Sequence, residues 1–193
     1  MPERVWRPNR AELAAARDRQ IADVLAPGLQ VVFCGINPSL YSGAVGHHFA
    51  RPGNRFWPTL HLSGFTHRQL SPFEDRELLR FGLGCTNLVA RTTARADELA
   101  PQEFSQGSEQ LREKLERFRP VALAVLGIGA YRLGFGRPRA AIGEQPDRIG
   151  PTRVWLLPNP SGLNAHYQRD ALVAAFRDLR GSGLRPGPPG GWR

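Results

Sequence analysis

The chain has 193 residues, 41% hydrophobic and 22% charged, which excludes disorder along its whole length. Its two cysteines, Cys34 and Cys85, exclude a disulfide scaffold, a four-cysteine zinc site and a four-cysteine iron–sulfur cluster, and no apolar run approaches the roughly 18 residues of a membrane span. A formal net charge of +9 points to a polyanionic partner, most often nucleic acid, although an arginine-rich codon bias also produces it.

In chain order, the start MPERVWRPNR lacks the apolar core of a signal peptide, so a cytoplasmic, nucleoid-associated protein is expected. Asn9 and Glu12 form a capping-box pattern that predicts a helix over 10–25, with Leu13, Ile21, Val24 and Leu25 inward. QVVFCG at 30–35 reads as a strand. A Gly-, Pro- and Asn-rich loop spans 35–57, and Asn54 is placed to cap a helix that Gly64 ends. GCTNLV at 84–89 reads as a second strand, followed by the polar stretch ARTTARADELA. Residues 102–118 place Phe104, Leu111, Leu115 and Phe118 on one helical stripe, with Lys114 on the solvated face.

VALAVLG at 121–127 and RVWLLP at 153–158 complete four apolar runs, and three of the four are continuously hydrophobic. That is the pattern of strands covered on both faces. A loop at 158–164 follows, then a helix with Leu172, Val173, Phe176 and Leu179 inward. GSGLRPGPPGGWR at 181–193, with Trp192, reads as a flexible tail. Strand–helix alternation predicts a single α/β domain over 1–180 with a mainly parallel sheet. Both cysteines lie in apolar runs, as expected of buried free thiols in a reducing compartment.

Ligands of open α/β sheets bind beyond the carboxyl ends of the strands, so the loops at 35–57 and 158–164 should meet there. Asn37 can bond to a water but cannot take up its proton; a turn asparagine bonding its own backbone is the plainer role. Phe49, in a polar stretch, offers either a stacking platform for a base or a core contact. His47 and His48 lack a third ligand at a standard spacing, so no metal is expected. Leu163, at a loop tip, is either a plug into the core or a wedge into a DNA stack.

The runs Gly35-Ile36-Asn37-Pro38, Gly46-His47-His48-Phe49 and Gly53-Asn54-Arg55-Phe56-Trp57 resemble the first motif of the mismatch-specific uracil-DNA and thymine-DNA glycosylases. Asn159-Pro160-Ser161-Gly162-Leu163-Asn164 resembles their second, and the likeness runs through CTNLVARTT over roughly residues 28–180. The resemblance implies a three-layer α/β/α sandwich around a mainly parallel four-stranded sheet. It implies a monomer that removes uracil, and related pyrimidine lesions, from double-stranded DNA, preferentially opposite guanine, without cofactor or metal. By the same resemblance Asn37 positions the attacking water. Phe49 stacks on the flipped base, and the backbone near Ile36 and Phe49 reads its edge. Ser42 and Asn87 match pocket-lining positions and Asn159 binds substrate, while Gly162 and Leu163 fill the gap in the duplex and meet the widowed guanine, with Asn164 also binding DNA.

The sequence departs from the family at Ser39, where glycine is usual, and at His166, where some relatives carry arginine. It also lacks the aspartate and the histidine of the very fast uracil-DNA glycosylases, with Asn159 at the histidine's place.

Asp97, beyond the second strand, is a candidate general base or stabiliser of the sugar cation; a helix cap or a solvated charge is its bland alternative. If it is the base, replacing Asn37 leaves measurable activity and replacing Asp97 does not. Arg51, Arg55, Arg91 and Arg95 flank the loops as candidate phosphate contacts. The single lysine, Lys114, makes abasic-site lyase chemistry improbable. Two rivals remain: a damaged-DNA binder without turnover, and a nucleotide hydrolase. The glycines at 127–136 fit no phosphate-loop pattern, which counts against the second.

Overall fold

The computed structural model describes residues 7–164 and 167–185; His166 and Trp192 lie outside them. In chain order the elements are α1 (Arg10–Ala15), β1 (Val31–Gly35), α2 (Leu40–Val45), α3 (Phe56–Leu62), a 3₁₀ segment (Pro72–Phe81), β2 (Leu83–Asn87) and a short 3₁₀ turn (Ala96–Glu98). Then come α4 (Pro101–Phe118), β3 (Ala122–Leu126), α5 (Ile128–Gly134), β4 (Gly143–Ile149), β5 (Thr152–Leu157) and α6 (Arg169–Gly181).

The sheet has five strands in the order β2-β1-β3-β5-β4, so the expected count of four falls one short. The four apolar runs are the four parallel strands. The added strand, β4, runs antiparallel to β5 at the edge. Its sequence GEQPDRI has no apolar run and carries Pro146, a residue that sheets admit at edges and bulges, so its pattern reads as loop.

Alternation along each strand sorts the core into two layers. Val31 and Phe33 pack with Phe56, Leu60, Phe65, Phe176 and Leu179 on one face. Val32 and Cys34 pack with Phe104, Leu111, Leu115 and Tyr131 on the other. Helices α3 and α6 therefore cover one side, and α4 and α5 the opposite one. Both cysteines are buried free thiols, and burial pushes Cys34 up to about 12.

The helix expected over 10–25 ends at Ala15. The Asn9–Glu12 capping box forms as read. Beyond it the polar run Arg17–Gln20 has nothing to bury, and the chain turns at Asp18 with φ of 60°. Asp18 N–H donates to Thr92 O and Thr92 N–H to Arg19 O, so the segment binds the 90s loop. Val24 then exchanges both backbone bonds with Cys85, closing the free edge of β2. Of the four residues expected inward, only Val24 is fully buried. Lys114 is not on a solvated face either: its Nζ lies 2.7 Å from Asp23 Oδ2 and 3.3 Å from Thr86 Oγ1.

Gly107 lets α4 lie directly against the end of β2, because a Cβ there would collide with the Leu88 carbonyl. Glycine-to-alanine in a helix interior gains about 1 kcal/mol of propensity, whereas overpacking against fixed backbone costs about 1–3 kcal/mol. Gly107→Ala is therefore expected to destabilise despite the better helix former, and a thermal melt should show a lower Tm.

Candidate active site

A cavity of about 670 Å³ opens at the carboxyl ends of the parallel strands. Residues of both predicted loops line it, including Ile36, Asn37, Ser42, Phe49 and Arg51 from the first and Asn159, Leu163 and Asn164 from the second. The loops also touch directly. Arg55 N–H donates to Pro160 O at 2.9 Å, and a Cβ on Gly162 would stand 2.5 Å from Gly53 O. Gly162 thus packs loop against loop and does not line the cavity.

Asn37 follows β1, and three oxygens surround one end of its amide: Thr93 Oγ1 at 2.7 Å, Arg91 O at 3.1 Å and Pro38 O at 3.3 Å. Only an NH₂ group can donate to all three, so Nδ2 is fixed there and Oδ1 is the end left to accept. Thr93 is a residue that sequence reasoning did not single out.

Ser39, a departure from the resembled motif, caps α2. Its hydroxyl accepts from Ser42 N–H at 3.2 Å, and its φ of −70° and ψ of 161° are open to any residue. Ser42 in turn accepts from Ala50 N–H at 3.1 Å. His48 N–H donates to Asp75 Oδ2 at 3.1 Å, and Trp57 Nε1–H donates to His48 O at 3.3 Å. These bonds hold Phe49 at φ of 54°, a conformation that costs a non-glycine residue about 1 kcal/mol or more. Its ring stacks on Phe56 with centroids 4.1 Å apart and is only half-buried, so it both packs on the core and faces the cavity.

The two histidines diverge. His47 lies 3.2 Å from Asp75, while His48 is buried against Ala22 O and Asn87. Among the described residues no three His, Cys, Asp or Glu side chains cluster as metal ligands would.

Asp97 is the single carboxylate on the cavity wall among the described residues. Arg95 holds it at both oxygens, through Nε at 3.1 Å and Nη2 at 2.6 Å, with both side chains largely exposed. The neighbouring Glu98 turns away, and its bond to Arg17 holds it below the usual carboxylate range.

The four arginines divide. Arg51 is exposed on the cavity wall with no ion pair among the described residues. Arg95 sits on the same wall beside Asp97. Arg55 and Arg91 do not line the cavity and are engaged within the protein. Arg55 donates to the carbonyls of Tyr167, Ser161 and Asn164 at 2.6–2.9 Å and so ties the second loop down. Arg91 makes a two-pronged bond to Glu103 and a third to Asp18, and it drives Glu103 down to about 2.

In the second loop Asn159 Oδ1 accepts from Ser161 N–H at 2.9 Å and Asn164 Nδ2 donates to Asn159 O at 2.9 Å, a self-bonded turn. Its tip carries Leu163 outward, 71% exposed, so it is no plug into the core. No helix among the described residues is long and apolar enough to cross a membrane. The sequence model of the Uracil DNA glycosylase superfamily matches residues 22–180, a span that contains both loops, every strand and the whole cavity wall but Ile21. With most of its length matched, the chain belongs to the uracil DNA glycosylase superfamily.

Proposed function

We propose that this protein is a monofunctional glycosylase that excises uracil from double-stranded DNA, preferentially from G·U mispairs, by turning the base out into the cavity. The observation that carries the reading is the convergence of an anchored asparagine, a half-exposed aromatic ring and an outward leucine on one cavity.

Reaching a base inside a duplex costs a few kcal/mol of unstacking and unpairing, least for a weak pair such as G·U. Leu163 takes the vacated space and Phe49 stacks on the everted base. Phe49 N–H, which has no acceptor among the described residues, bonds the base edge. A water held by Asn37 Oδ1 attacks the sugar C1′ and gives its proton to Asp97. The C1′–N bond breaks with its electron pair going to the base. The carboxylate also favours the positive charge that develops on the sugar, while donors around the base favour its negative charge. Lys114, the single lysine, lies away from the cavity in its pair with Asp23, so no lysine amine attacks C1′ and the strand is left abasic but uncut.

The test is a labelled duplex with one G·U pair, incubated with enzyme and then treated with alkali. A break at the uracil after alkali, and none before, is the expected result. Retained binding without any break, at enzyme in excess, would make the protein a binder instead. Leu163→Ala is expected to slow duplex excision by about tenfold or more, since the gap is then unfilled, and to leave single-stranded uracil nearly unaffected. Equal loss on both substrates would remove the wedge role.

A further inference from the structure

One amide on the cavity wall has its orientation decided by a residue that does not reach the cavity. His48 is 1% exposed, and its Nε2 stands 3.0 Å from the carbonyl oxygen of Ala22. A carbonyl only accepts, so Nε2 carries a proton. Burial holds the ring below its ordinary pKa, against the pull of Ala22 O, Asp75 and Asp23, so the ring is neutral. Nδ1 therefore keeps its lone pair and must receive. Its neighbour, at 3.3 Å, is the side-chain amide of Asn87, which faces it with Nδ2.

The other end of that amide is then the oxygen. It lies over Gly35, where an added Cβ would stand 2.6 Å from it, and beside the edge of Phe49. No donor among the described residues bonds it, and Asn87, Gly35 and Phe49 all line the cavity.

We infer that His48 is a positioning residue for base selection. By its tautomer it holds Asn87 with the carbonyl toward the base, so the cavity accepts a hydrogen bond from a ring N–H flanked by carbonyls. Uracil-type bases carry that N–H. Cytosine presents a lone pair at the same ring atom and is repelled. A site built to bond a particular group rejects an analogue lacking it far more strongly than an apolar wall does. The inference rests on the glycosylase reading, but the orientation of the amide does not.

Two measurements test it. Nitrogen NMR of the full chain labelled at histidine is expected to show His48 near neutral pH with Nε2 protonated and Nδ1 bare; a proton on Nδ1 would overturn the positioning. Excision is then compared on duplexes with uracil or cytosine facing an abasic-site analogue, so that pair strength does not differ. The wild type should favour uracil by about a hundredfold or more. His48→Leu, which frees the amide to turn, should compress that ratio at least about tenfold. His48→Gln, whose carbonyl can receive from Nδ2 while its NH₂ donates to Ala22, should restore it. An unchanged ratio in a folded, active His48→Leu variant, or a collapsed ratio in His48→Gln, overturns the proposal. A wild type that excises neither base yet shows the expected tautomer overturns the glycosylase reading and the selection with it, whereas the wrong tautomer overturns the positioning alone.

Discussion

Asp97→Ala is expected to lower the single-turnover rate of uracil excision by about 10³–10⁴-fold, while Asn37→Ala leaves a slow but measurable reaction. Among the described residues no histidine, cysteine or lysine lines the cavity wall, and Asp97 is its one carboxylate. Asn37 can hold a water but cannot take its proton. Removing it costs orientation, whereas removing Asp97 costs both the proton acceptor and the negative charge beside the sugar. Arg95→Ala is the control for the ion pair itself. The pair is largely exposed, so its loss should cost less than about 1 kcal/mol of stability, and a rate change would then report on Asp97 rather than on folding. If Asp97→Ala keeps wild-type rates and Asn37→Ala abolishes them, the water is activated by positioning alone and the acidic residue is a surface charge.

Gly35→Ala is expected to damage excision next most, through space rather than chemistry. Gly35 closes β1 without a positive φ, so its backbone would accept alanine. The new methyl would stand 2.6 Å from Asn87 Oδ1 and 3.1 Å from Phe49 Cε1. Neither can retreat cheaply, since Asn87 is tied to His48 and the Phe49 ring is stacked on Phe56. A loss of about 1–3 kcal/mol of stability follows from such overpacking. The larger effect is on uracil excision, about a hundredfold, because a displacement of about 1 Å at a positioning group has that effect. Melting temperature and single-turnover rate, measured on the same preparation, separate the two. Normal excision by G35A would show that the cavity floor is plastic.

The apolar runs made the parallel sheet legible, because a strand covered on both faces can hold little else. The meeting of the two loops was legible for the same reason: parallel strands deliver their carboxyl ends to one side. β4 was illegible because an edge strand needs no apolar run, and GEQPDRI has none. The N-terminal segment misled because Ile21, Val24 and Leu25 keep helical spacing while serving to close a sheet edge and border the cavity.

Within the site, Asn37, Phe49 and Leu163 were readable from the motifs. The division of the arginines was not. Arg51 and Arg55 differ by whether three carbonyls from residues more than 100 positions away surround the guanidinium, and no local pattern carries that. The same holds for His48, whose partners come from residues 22 and 87.

The two margins of the sheet have a consequence for behaviour at high concentration. On one side Val24 occupies the backbone groups of Cys85. On the other, β4 interrupts its own ladder with a register shift between Glu144 and Arg148, carries Pro146 within that stretch and shows polar side chains to water. An incoming strand finds no long unpaired run at either border, which blunts the edge-to-edge growth that leads sheets into fibrils.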